Sequence, residues 1–276
     1  MAEKQKEMSF LGHLEELRWH LVRSASAIFI LAIVFFVFAT EVYENFLLAH
    51  IKPDFITYQL FCDFFNLFGM DSDFCNVTFA DKKLQSIKVT SQLMNSIWSS
   101  LILGIIVSFP YLLWEIWRFV SPGLTKKEVN KSRGFIFTAS LLFFIGLTFS
   151  FYVIAPISVH FLYNYQISES IVNSFTLQSH IGLITNMLLG VSILFELPVL
   201  IFFLTKIGLI TPEFLKKYRK HALVVVLILA AIITPPDIAS QVIVAIPILI
   251  LYEIGIKVSK RVIKKQQKDA QKSSRV

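Results

Sequence analysis

The chain has 276 residues, 55% of them hydrophobic and 27 of them Phe, with 26 Lys plus Arg against 19 Asp plus Glu for a formal net charge of +7. This apolarity exceeds what a soluble core of that length needs and points instead to a membrane protein. The basic excess is accounted for by loops facing anionic lipid, so nucleic acid is not required as a partner.

Residues 1–23 are mostly polar, with Glu3, Glu7, Glu15 and Glu16 ahead of the first apolar run and no small-x-small site after it. A cleavable leader is therefore not expected, and the first span should be retained. Within this segment Ser9–Leu21 reads as an amphipathic helix. Phe10, Leu14, Leu17 and Leu21 fall on one stripe and His13, Glu16 and His20 on another. It should lie along the inner membrane surface before the chain turns in.

Six apolar stretches follow, at Ser24–Ala39, Ile97–Trp117, Phe135–Ala155, Ile181–Leu204, Ala222–Thr234 and Ile238–Ile256. They predict an all-α integral membrane protein with a six-helix domain over 24–256. Of the 26 Lys and Arg, 22 lie before the first span, between the second and third, between the fourth and fifth, or after the sixth. The alternate segments hold only Lys52, Lys82, Lys83 and Lys88. Positive residues mark the cytoplasm, which predicts both termini inside.

The long segment Tyr43–Lys88 is then outside and carries both cysteines, Cys62 and Cys75. An oxidising compartment permits a disulfide, and two free thiols are equally compatible with the sequence. Pro110, Pro156, Pro198 and Pro247 each interrupt or end an apolar run and should kink the helices. Thr211-Pro212-Glu213 marks a helix start, Thr125-Lys126-Lys127-Glu128 fits a capping box, and Asp237 is placed to cap the sixth helix. The fifth stretch covers ~20 Å of a hydrocarbon layer near ~30 Å and is short for a span. The tail 257–276, rich in Lys, Gln and Ser, reads as a disordered cytoplasmic extension.

Glu196, in ILFELPVL, carries the strongest single-residue signal, because an ionised carboxylate inside a span costs several kcal/mol without a partner or water. Either it is hydrogen-bonded within the bundle or it meets a partner or a substrate path. Gln241, in the outer part of the sixth span, is likewise costly in lipid unless paired. Glu16 and Glu128 both fall at the cytoplasmic face, where a solvated stripe and a helix cap are complete local explanations. Glu115 and Arg118, three apart on the second span, are read as a local ion pair. There is no HExxH, GxSxG, GxGD or phosphate-loop motif, and six scattered His do not form a metal site. No enzymatic activity, cofactor or metal is expected.

Four segments together resemble one family: HLEELRWHL at 13–21, FVSPGLTKKE at 119–128, FELP at 195–198, and TPPDIASQ at 234–241 followed by AIP and YEIG up to 255. The chain resembles TatC, the core subunit of the twin-arginine protein translocase, from about residue 10 to 258. The resemblance implies a bacterial cytoplasmic membrane location and binding of paired-Arg signal peptides of folded cargo by Glu16, Arg18, Phe119, Pro122, Leu124 and Glu128. It implies that Glu196, Thr234 and Gln241 are polar docking points within the membrane for the single-helix partners TatA and TatB. A short sixth span beside the fifth, self-association in a larger complex and export driven by the proton-motive force are implied as well. The chain departs from the family at Trp19-His20 and Val129-Asn130, where basic residues are usual, and in its longer first outer loop. The competing reading is a secondary transporter of a small solute with Glu196 as a midplane ion site. An intramembrane enzyme is disfavoured by the missing nucleophile and base.

Overall fold

The computed structural model describes residues 10–69, 73–77, 84–120, 132–168, 170–171, 173–234 and 238–273. Among these the chain is helical nearly throughout: α1 (Phe10–Val37), α2 (Ile56–Leu67), α3 (Ser91–Val120), α4 (Ser132–Phe149), α5 (Ala155–Asn164), α6 (Leu177–Phe195), α7 (Leu197–Lys206), α8 (Pro212–Lys217), α9 (Arg219–Ile233) and α10 (Ile238–Ser273). Among the described residues the one β feature is an isolated bridge between Gln85 and Thr176.

Five helical segments are long and apolar enough to cross a bilayer: Leu14–Val37, Ser91–Phe119, Ile136–Asn164, Leu177–Lys206 and Ser240–Lys268. This is an all-α, multi-pass membrane protein. The remaining apolar stretch forms α9, whose 15 residues extend only ~22 Å at ~1.5 Å per residue.

Two expectations need correction. The segment around Glu16 is not a separate surface helix, because α1 runs unbroken for 28 residues into the first apolar stretch. No Pro or Gly lies between His13 and Val37 to stop it. The tail is not disordered through Ser273: it continues the sixth apolar stretch in one 36-residue helix, α10. After Gly255 that tail has neither Gly nor Pro and is dominated by good helix formers. It is also held tertiarily, since Thr205 Oγ1 donates to Ser259 Oγ at 2.8 Å and Gln266 Nε2 donates to the Lys206 carbonyl at 3.1 Å.

The prolines act unequally. Before Pro156 the helix widens into a π-helical turn, Ser150–Ile154, which joins α4 to α5. Pro198 lies just after a break at Glu196, whose N–H donates back three residues to Ile193. By contrast, α3 and α10 continue through Pro110 and Pro247. Thr211 caps α8 as expected, its Oγ1 accepting from Phe214 N–H at 3.2 Å with Pro212 in the first turn. Asp237 and the Thr125–Glu128 capping box lie outside the described residues.

The chain divides into two compact units, one within Met1–Thr40 and Leu93–Leu141, the other within Glu41–Gln92 and Leu142–Val276. In the first, α1 and α3 approach so closely at Gly104 that a Cβ there would sit 2.8 Å from the Ile28 carbonyl oxygen. Large apolar side chains along α1, such as Phe29 and Val37, stay exposed, as lipid contact requires.

In the second unit α7, α8 and α10 bury Ile201, Leu215, Tyr252 and Ile256 together. The Tyr252 hydroxyl is satisfied by the Leu215 carbonyl at 2.8 Å. Gly208, at φ +81°, ends α7 in the left-handed conformation that a side chain would strain. Elsewhere in this unit several buried polar side chains terminate on backbone carbonyls, while Ser158 and Ser240 bond each other at 2.7 Å and Tyr163 Oη bonds His180 Nδ1 at 3.0 Å. His50 Nε2 donates to Phe151 O at 2.8 Å, Tyr58 Oη to His50 O at 2.7 Å, Thr57 Oγ1 to Tyr152 O at 2.6 Å, and His180 Nε2 to Leu47 O at 3.2 Å. Cys62 and Cys75 are joined in a disulfide that ties α2 to the turn Asp73–Asn76.

Candidate functional site

The polar chemistry of the first unit converges where the early turns of α1 meet the last turns of α3. On α1, Glu16 and His20 are one turn apart and share a face. On α3, Tyr111, Glu115 and Phe119 do the same. His20 Nδ1 hydrogen-bonds Glu115 Oε2, and both side chains are buried. Tyr111 Oη donates to Glu115 Oε1 at 2.9 Å, Arg23 Nη1 lies 4.0 Å from Glu115 Oε2, and the Phe119 ring meets His20 edge-on at 6.0 Å. Glu115 is thus held across the helix pair by His20 and along its own helix by Tyr111. The expected partner, Arg118, instead lies over the Trp114 ring, 5.8 Å from its centroid.

Glu16 sits one turn before His20 and is half-buried. Its Oε2 is buried without a hydrogen-bond partner among the described residues. A carboxylate held there keeps unused acceptor capacity, the property a donor-rich ligand would exploit. Arg18 is exposed two positions on, and so points away from the Glu16 face. Of the expected signal-binding set, the structure brings Phe119 to the face shared by Glu16 and His20. Pro122, Leu124 and Glu128 lie outside the described residues.

The second group belongs to the other unit. Glu196 occupies the break between α6 and α7 that Pro198 enforces, half-buried, with Oε1 buried without a partner among the described residues. Thr234 is buried at the end of α9, and its Oγ1 donates to Ala230 O in the same helix at 2.9 Å. Gln241, half-buried on α10, donates from Nε2 to Leu227 O of α9 at 3.1 Å. Thr234 and Gln241 therefore share the α9–α10 pair, whereas Glu196 stands at the junction of α6 and α7. The three share no hydrogen bond with one another among the described residues.

Sequence reasoning missed the His20–Glu115 pair. The available signal was two ionisable residues at the borders of apolar stretches, but 95 positions separate them and nothing local links them.

The fold defines a multi-pass α-helical membrane protein, and among the described residues no group of three or more His, Cys, Asp or Glu is placed to hold a metal ion. Comparison with known proteins supplies the family. The profile of the Sec-independent protein translocase protein (TatC) family matches residues 12–247. TatC of Blattabacterium sp. subsp. Periplaneta americana (strain BPLAN) is 39% identical over 266 residues, 96% of this chain and 100% of that protein. TatCy of Bacillus subtilis (strain 168) is 33% identical over 267 residues, 97% and 94% respectively. A crystal structure of the twin-arginine translocase receptor TatC superposes with a TM-score of 0.69 at 30% identity, covering 91% of this chain and 99% of that one. The chain belongs to the TatC family of Sec-independent protein translocase proteins. Its role is accordingly that of a translocase component in protein transport rather than a catalyst.

Proposed function

We propose that this chain is the receptor subunit of a twin-arginine translocase, set in a bacterial cytoplasmic membrane with six spans and both termini inside. The 22-to-4 partition of Lys and Arg supports that orientation, with α9 as the short fifth span. The paired-Arg signal of a folded cargo protein binds at the inner end of α1 and α3, to Glu16, Arg18, Phe119, Pro122, Leu124 and Glu128.

The observation that carries this reading is the open acceptor on Glu16, next to a His20–Glu115 pair that is already internally satisfied. A guanidinium presents paired planar donors that a carboxylate accepts in bidentate fashion and a lysine cannot reproduce. Two such carboxylates, Glu16 and Glu128, discriminate Arg-Arg from Lys-Lys. They do not supply most of the affinity: charge-assisted bonds contribute about 1.5–3 kcal/mol each, whereas micromolar binding needs about 8 kcal/mol. The apolar part of the signal provides the rest by packing along the spans.

Glu196, Thr234 and Gln241 serve as docking points within the membrane for TatA- and TatB-type helices. Glu196 offers an unfilled oxygen, and Gln241 keeps its amide oxygen available after donating to α9. Self-association and proton-motive-force-driven export complete the reading.

The test is export of a folded fluorescent reporter in cells deprived of their own TatC and supplied with this chain and its partner helices. A paired-Arg signal should be exported, a paired-Lys signal should not, and Glu16→Ala and Glu128→Ala should each abolish export while the protein remains in the membrane. Undiminished export by both variants would overturn the assignment of the site.

A further inference from the structure

The disulfide-tied segment between the first two spans carries an apolar stripe that stays exposed among the described residues. On α2, Ile56, Leu60, Phe64 and Leu67 recur at intervals of four, four and three residues and are each more than half exposed, Leu67 at 81%. Phe68 continues the stripe just past the helix. The adjoining face, Thr57, Tyr58, Phe61 and Phe65, packs inward, with Phe61 and Phe65 against the Phe74 ring. Gln59, Asp63 and Asn66 share the third face. A helix with one face on protein, one polar and one openly apolar has three different surroundings to satisfy.

Its attachment fixes the depth at which the stripe lies. Thr57 and Tyr58 donate to the carbonyls of Tyr152 and Pro156, at 2.6 and 3.3 Å, inside the apolar segment Ile136–Asn164. That segment follows Arg133, and a hydrocarbon layer of ~30 Å takes up about 20 helical residues from Ile136, to the neighbourhood of Ala155. The carbonyls that anchor α2 therefore sit at the hydrocarbon boundary rather than out in water. Aromatic residues gather at and beyond this level, as they do at membrane interfaces: Phe55 stacks on Tyr152, and exposed Phe161 and Tyr165 pair about two to three turns further out.

We propose that α2 is an interfacial helix, its Ile56–Leu60–Phe64–Leu67 stripe immersed in the boundary region of the bilayer and its Gln59–Asp63–Asn66 face turned to water. Asp63 is the single charge on the helix and no Lys or Arg occurs on it. The ligand is therefore lipid acyl chain at a zwitterionic boundary, bound without help from anionic headgroups. Assigning it to the outer leaflet rests on the charge-derived orientation above, whereas the lipid contact itself does not.

The test uses the full chain in phosphatidylcholine nanodiscs, with the native disulfide intact and a nitroxide placed at Leu60→Cys, Leu67→Cys or Asp63→Cys. Labels at Leu60 and Leu67 should collide with oxygen several-fold more than with a water-soluble nickel chelate. The label at Asp63 should show the reverse order, and replacing a third of the lipid by phosphatidylglycerol should change neither. Nickel access at both stripe positions would place the stripe in water and overturn the proposal. Shielding of both from oxygen and nickel alike would show a protein partner or second copy covering it, and overturn it equally. Lipid exposure at both positions with the opposite leaflet identified by an impermeant quencher would leave the interfacial helix standing and overturn the orientation instead.

Discussion

The two units bury polar groups in contrasting ways. In the second unit His50, Tyr58, Thr57 and His180 all end on backbone carbonyls, at 2.6 to 3.2 Å, in a network where the fold itself supplies the acceptors. In the first unit Ser99 and Ser108 likewise end on backbone carbonyls, but beside them His20 and Tyr111 converge on the Glu115 side chain, and the neighbouring Glu16 Oε2 has no partner among the described residues. Carbonyl-terminated networks are insensitive to side-chain ligands, because their acceptors cannot move away. A side-chain cluster with one unfilled acceptor can take a ligand without dismantling the fold. Structural and binding polarity are separated here by what completes each hydrogen bond.

The largest effect should come from the open acceptor. Glu16→Ala should reduce the affinity for a paired-Arg signal peptide by about 10- to 100-fold, the equivalent of one charge-assisted hydrogen bond at about 1.5–3 kcal/mol, with thermal stability unchanged. Titration of a fluorescent signal peptide onto the detergent-solubilised protein measures it. Unchanged affinity would remove the contrast between the units at its source. Glu115→Ala should act oppositely, lowering the melting temperature by leaving buried His20 without its acceptor. Glu115→Gln should recover most of that loss, because it keeps the shape and one acceptor.

The disulfide comes next. Cys62 and Cys75 are 13 positions apart, and closing a loop of that size is worth about 3 kcal/mol in the chain-entropy account. Cys62→Ser should therefore expose Ile56–Asn76 to limited proteolysis at temperatures where the native chain resists. The spanning helices should remain intact.

The carbonyl network makes its own prediction about pH. Burial pushes His50 down to about 4, the nearby His180 acting in the same direction, while its Nδ1 is buried with no acceptor to receive a proton. Since the folded value lies below the ordinary 6.5, the contribution to stability is complete above pH 6.5. It declines as the pH falls toward 4, because over that window only the unfolded chain takes up the proton. The slope is about 1.4 kcal/mol per pH unit. Melting curves in nanodiscs should show this acid limb, and His50→Gln, which retains a donor for Phe151 O, should flatten it. An unchanged limb in that variant would assign acid sensitivity to other groups.

Much of this was legible in advance, and the exceptions have physical causes. The six apolar stretches stand out because lipid contact demands uninterrupted apolarity. Pro156 and Pro198 announce disturbances because proline cannot donate the helical hydrogen bond. The continuity of α1 was hidden: an amphipathic pattern over Ser9–Leu21 looks the same whether the helix ends there or runs on, and only the absence of a breaker before Val37 decides it. The helical tail was hidden too, since Lys- and Gln-rich sequence suits a solvated coil as well as a helix, and it is the Ser259 and Gln266 contacts to Thr205 and Lys206 that favour the helix. The pair between His20 and Glu115 could not be read from local spacing, which offered Arg118 as the nearer partner. Among the expected site residues, Glu16, Glu196 and Gln241 stood out as polar groups in apolar surroundings. Which of them keeps an open atom depends on tertiary packing that no local pattern encodes.

The smallest expected effect tests the comparison from its other side. Thr234 was grouped with Glu196 as a docking residue, yet it is buried and its hydroxyl is bonded within α9, to an Ala230 carbonyl that also accepts the Thr234 N–H at 2.8 Å. Thr234→Val keeps the shape and leaves that carbonyl satisfied, so it should cost less than about 1 kcal/mol. Because the hydroxyl is already engaged, photocrosslinking to the partner helices should fall only slightly, whereas Glu196→Ala, which removes an open acceptor, should abolish it. If Thr234→Val instead eliminated crosslinks at an unchanged melting temperature, the bond to Ala230 would be one that an incoming helix displaces. An engaged hydroxyl would then serve docking as well as an open carboxylate does, and an unfilled acceptor would no longer distinguish binding polarity from structural polarity in this protein.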